Sequence, residues 1–175
     1  MNHESFKKEI KIEDSKVTFD GIYNKCWFPH DVFDEVKKAN VLIVPTDYNT
    51  DDMNVVFPET TPDFLDYLRQ TSSENVICDI AISDDNFRRM EKHSALIELA
   101  TVLVDVTIVP IVINMISSYL YDLVSRYRRT PKDTSAKIKI LAEETETKRT
   151  VEIKYEGPVN EAKEVMETAL KNTFK

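Results

Sequence analysis

The sequence predicts an α+β protein in which a small mixed β-sheet packs on one long, kinked apolar helix and ends in a ββα unit. Three observations carry that prediction. The stretch "LATVLVDVTIVPIVINMISSYL", Leu99–Leu120, has one charge and one proline in 22 residues. Two short β-branched runs, "NVLIVP" and "NVICDIAIS", flank a segment with helical spacing. The carboxyl-terminal third alternates apolar and charged residues and then changes to a period near 3.6.

Taken in order, "KEIKIEDSKVTFDG" alternates around Ile10, Ile12, Val17 and Phe19, as a short strand or a hairpin closed near Gly21 would. "HDVFDEVKKA" places Val32, Phe33 and Val36 on one helical face, with Asp31 as N-cap and Lys37 and Lys38 in the last turn. Asn40–Pro45 is continuous and β-branched, the pattern of a strand buried on both faces. "TPDFLDYLRQ" has proline at a first helical position. With the strand Asn75–Ser83 after it, the order strand, helix, strand implies a parallel pair and a right-handed crossover. "SDDNFRRMEKHS" restarts helical spacing, capped by Ser83 or Asp84, and leads into the apolar stretch. After a polar connector, Ser125–Ala136, the alternation of Ile138 and Ile140, then of Val151, Ile153 and Tyr155, predicts an antiparallel hairpin. "NEAKEVMETALKNTF" is an amphipathic helix with Ala162, Val165, Met166, Ala169 and Leu170 on one side. Residues 1–133 form one portion, ending in the long helix. Residues 134–175 form the ββα unit packed on it, as a second portion or as part of one continuous domain.

The apolar stretch poses the choice between a membrane span and a core helix. A span needs about 20 predominantly apolar residues. The uncharged run from Asp105 to Asp122 is 16 residues and includes Pro110, Asn114, Ser117 and Ser118. A carboxylate near the bilayer centre costs roughly 2.5–3.5 kcal/mol, and arginines at both flanks give no orientation. Core or protein interface is therefore the preferred reading, with membrane insertion of Leu99–Leu120 as the alternative. In the core, Pro110 removes the bond to the Val106 carbonyl and kinks the helix.

Composition narrows the function classes. A formal net charge of −8 excludes nucleic acid as a main partner, since phosphate binding needs a basic surface. Two glycines in 175 residues leave no room for a Gly-rich phosphate loop. Two cysteines make no disulfide framework, and the polar amino terminus lacks the apolar core of a secretory signal. A cytoplasmic setting follows as the expectation, with no cofactor implied.

Between Ile43 and Phe87 ten carboxylates face one base, Arg69. Asp47, Asp51, Asp84 and Asp85 follow predicted strands, where α/β folds place hard-metal sites. "DYNTDDMNVVFPE" begins like a calcium loop but puts Asp52 where the turn glycine belongs and Glu59 one position late. A solvated acidic face is the simpler reading, and a divalent-metal hydrolase the sharper alternative. Cys26 and His30 in "CWFPH" lack an orienting third group. His3, His30, His93, Cys26 and Cys78 lack zinc-ligand spacing. In "SRYRR" the arginines most simply close a helix at the negative end of its dipole.

The layout of a strand-rich acidic first half, a long apolar helix over Ala95–Val124, and ββα over Lys137–Leu170 resembles the effector-associated constant component proteins. These are small modules of bacterial conflict and antiviral systems, encoded beside variable effectors. The resemblance carries no catalytic residues. It implies a non-enzymatic adaptor or regulator that binds itself or an effector protein. The expected docking surface is the apolar helix, with Asp105, Pro110, Ile113, Asn114 and Tyr119 as its contact residues.

Overall fold

The structure, a computed structural model, describes residues 8–91 and 95–174. Its first elements are β1 (Glu9–Ser15), α1 (Phe19–Tyr23), a 3-10 turn at His30–Val32, α2 (Phe33–Val36) and β2 (Val41–Val44). Next come β3 (Phe57–Pro58), α3 (Thr61–Thr71), β4 (Cys78–Ile80), a 3-10 turn at Asp84–Asn86 and β5 (Arg89–Met90). β6 (Ile97–Glu98), β7 (Thr101–Asp105) and α4 (Val109–Arg126) follow, and β8 (Ser135–Glu144), β9 (Arg149–Pro158) and α5 (Val159–Thr173) complete the chain.

One mixed sheet of seven strands runs in the order β1-β9-β8-β7-β2-β4, with β6 also on β8. β3 and β5 make a separate parallel pair. The fold class is α+β, as the pattern predicts. The ββα unit is present with β8 and β9 antiparallel in continuous register from Ser135↔Pro158 to Glu144↔Arg149. β2 and β4 pair in parallel across α3. β8 lies in the middle of the sheet, so the two predicted portions share one sheet.

Register explains the layering. Ile138, Ile140 and Ala142 stand opposite Tyr155, Ile153 and Val151, and all six are buried. The alternate positions of the same strands carry Lys137, Lys139, Glu152, Lys154 and Glu156. The apolar face is covered by α3, α4 and α5 side by side. Over part of the other face, the segment before and after β2 folds back. Trp27 is buried and donates its indole N–H to the Thr50 carbonyl at 2.9 Å. Lys139 lies over the Tyr48 ring and 3.6 Å from Glu152.

Several expectations are corrected. Ile97–Glu98 and Thr101–Asp105 are strands, not helix, and the β-branched run of β7 fits the slot between β2 and β8. β6 and β7 lie on the same edge of β8, and the chain takes four steps from Glu98 to Val102 while β8 takes three, from Lys137 to Ile140. That extra residue is a bulge. Pro110 lies in the first turn of α4, where its missing N–H is no loss, so it starts the helix and kinks nothing. Residues 84–90 form a 3-10 turn and β5 in place of a helix. Of the two forms expected of the first segment the strand is the one present: β1 is followed by α1, capped by the Thr18 hydroxyl accepting from Gly21 N–H at 3.0 Å. Asp31 sits inside the turn at His30–Val32 and does not cap.

α4 ends as its arginines imply. Arg128 has φ 56°, its N–H reaches the Ser125 carbonyl, and the Arg129 N–H reaches the Val124 carbonyl. That is a Schellman closure with arginine in the left-handed position usually held by glycine. Asp63 of α3 ties the two helices together. Its carboxylate accepts the Tyr119 hydroxyl at 2.7 Å and two Arg126 guanidinium bonds at 3.3 and 2.6 Å.

Candidate interaction surface

The predicted docking residues divide between core and surface. Ile113 and Tyr119 are both 0% exposed, inside the chain's own core. They cannot meet a partner, and the docking face expected of them is withdrawn. Asn114 and Pro110 lie on the outer stripe of α4 with Ile111, Ser118 and Tyr121. Asp105 ends β7 and caps the 3-10 turn that leads into α4. Its Oδ1 accepts the Thr107 N–H at 2.9 Å and the Thr107 hydroxyl at 2.7 Å. The carboxylate that argued against a membrane span is thus a local cap.

The acidic candidates stay apart. Asp47, Asp51, Asp84 and Asp85 are all exposed, and Asp51 pairs with Lys25 at 3.4 Å. Among the described residues no group of three or more His, Cys, Asp or Glu side chains is placed to share a metal ion. Cys26 is exposed and its thiol donates to the Asp51 carbonyl, while the His30 ring packs against Phe28 and Phe33. His3 and His93 lie outside the described residues.

Sequence reasoning missed two features. The first is a cavity of about 280 Å³ at the carboxyl ends of the parallel strands β7 and β8, lined by charged groups and by Phe19 and Tyr23. Glu143, 3% exposed, stands beside Asp105 there and accepts the Phe19 N–H at 3.2 Å. Burial pushes the Glu143 carboxyl up, against the pull of the Phe19 N–H and Lys148. Lys148 reaches Asp20 at 2.9 Å across the mouth. Both carboxylates already have partners that fix their place in the fold, so the cavity reads as a structural corner.

The second feature is the edge of the sheet. β1 pairs with β9 on one side, from Glu9↔Glu156 to Ser15↔Thr150, and among the described residues no strand pairs on its other side. Ile10 and Ile12 stand opposite Tyr155 and Ile153, on the apolar face that α5 covers. α5 lies chiefly over β9 and reaches β1 only marginally. Ile10 is therefore 38% and Ile12 42% exposed. They form the floor of a groove of about 570 Å³ whose α5 wall includes Glu164, Val165, Thr168 and Ala169. Lys8 and Glu161, 3.4 Å apart, cross its rim. On the opposite face of β1, Glu9, Lys11 and Glu13 are exposed. The signal was legible in "EIKIED", whose isoleucines alternate with charges, but its position at an open edge was not.

No family model, no curated protein and no solved structure matches this chain.

Proposed function

We propose that this chain is a non-enzymatic binding module, an adaptor or regulator, and that it recognises protein along the β1 edge and the groove beside α5. The observation that supports this is the pairing of open main-chain groups on an edge strand with two half-exposed isoleucines on its apolar side. An extended segment added to such an edge gains main-chain hydrogen bonds, and the groove reads its side chains. The surface replaces the apolar helix as docking element, while the class of job expected from the sequence, in a bacterial conflict system with itself or an effector as partner, is kept. The layout behind that class now rests on the ββα unit and the helix from Val106, since residues 95–105 are not helical.

Of the competing readings, a metal-dependent hydrolase needs its carboxylates convergent, and the four proposed are exposed and, among the described residues, belong to no group of three or more side chains placed to share a metal ion. Val106–Arg126 is long and apolar enough to cross a membrane. Inserting Leu99–Leu120, however, would draw β7 out from between β2 and β8. A photo-crosslinking side chain at Ile12 tests the proposal. In the cells that make the protein it yields a discrete protein adduct, and the same side chain at Asn114 yields none. No adduct from Ile12, or equal labelling from both, overturns it.

A further inference from the structure

Resting on that reading, we infer that the occupant of the β1 edge is a second copy of this chain, paired antiparallel about a twofold axis at Ile12, with Lys11 of each copy opposite Glu13 of the other. The argument is one of register. Pairing of β1 with itself must place isoleucines on a common face, because a one-residue slip sends every side chain to the wrong side. Two antiparallel registers near the strand centre satisfy that. With Lys11 on the axis, Lys11 faces its own copy and Glu9 faces Glu13, and like charges directly opposite are destabilising. With Ile12 on the axis, Ile12 meets Ile12, both Lys11–Glu13 pairs are of opposite charge, and Glu9 faces Ser15. Ile10 then faces Asp14, whose carboxylate is already turned to Arg149 at 3.5 Å. The charge pattern E-K-E around two isoleucines is thus self-complementary in this register.

The second layer agrees. A twofold axis normal to the sheet keeps both α5 helices on one face, beside the joined β1 strands. With strands about 4.8 Å apart and α5 lying chiefly over β9, the two helices stand roughly 15 Å apart. At that spacing the two grooves merge into one trough floored by Ile10 and Ile12 and walled by Val165 and Thr168 of each copy. Lys11 pairs within its own strand with Glu9 at 3.3 Å, both more than half exposed. That pair is weak enough to exchange for the one across the axis.

Solution mass tests this by equilibrium sedimentation at the highest soluble concentration, with circular dichroism to monitor the fold. The parent chain is expected at twice 20.3 kDa. Lys11→Glu alone and Glu13→Lys alone each halve the mass. The double exchange Lys11→Glu/Glu13→Lys restores it, and so does mixing the two single variants, which are complementary only to each other. A monomeric parent, single variants that stay dimeric, or a double exchange that stays monomeric overturns the inference. A monomeric parent that still gives an adduct from Ile12 overturns the second copy and leaves the binding module standing. Absence of any adduct overturns both.

Discussion

Glu143 is a carboxylate that the fold holds at a cost. It is buried beside Asp105, and desolvation raises its carboxyl above the ordinary glutamate value of 4.5. The sign of the consequence follows from proton counting. Between the unfolded and the raised folded pKa, the native state binds more protons than the unfolded chain, so stability falls as pH rises through that window. Glu143→Gln keeps an oxygen for the Phe19 N–H and removes the charge. It should raise the melting temperature at neutral pH by a few degrees, with the gain shrinking to nothing toward about pH 4. A scan of melting temperature against pH for both proteins decides it, and a gain that persists unchanged into acid contradicts the assignment. In the sequence Glu143 was one of several alternating charges, and nothing local marked it as the one turned inward. Asp105 was conspicuous there, but its role depended on where the helix starts. A carboxylate two residues before a threonine can end a strand as readily as interrupt a helix.

At the scale of elements, α4 is defined by Pro110 at its start and Arg128 at its end. Placing the proline in the first turn changes what its removal does. In a kinked mid-helix position, Pro110→Ala would restore a hydrogen bond and stabilise by up to about 3 kcal/mol. At its observed position it should leave stability within about 1 kcal/mol of the parent, on the unfavourable side, through extra freedom in the unfolded chain. Denaturant titration separates the two. The ββα unit was legible because apolar and charged residues alternate through the body of both strands, with Lys137, Lys139, Glu152, Lys154 and Glu156 on the polar side. β7 was not, since a five-residue apolar strand adjoining an apolar helix shows no change of period to mark the boundary. The cue that was present is the spacing of Asp105 and Pro110, a cap followed by a helix-start proline.

At the scale of the whole molecule, one contiguous core joins strands from every part of the chain to the inner faces of α3, α4 and α5. Ile113 is central to it, so Ile113→Ala should cost about 2–5 kcal/mol by opening a cavity. That loss should appear in chemical denaturation whether the protein is dilute or concentrated, because the residue serves the fold and not an assembly. The open edge at β1 belongs to this scale too, since it exists only once β9 is in place beside it. Its two strands lie at opposite ends of the chain, Glu9–Ser15 and Arg149–Pro158. Contacts of such long sequence separation form late, after local units have closed their loops. The hairpin and α5 are local and can form among themselves, but β1 is made well before β9 and waits through all the intervening elements before its partner exists. Of this pair, the strand made earlier is thus the one placed last. Until then an isoleucine-bearing segment is free on both sides, and it is the part of the nascent protein that a chaperone or a neighbouring polysome chain would meet.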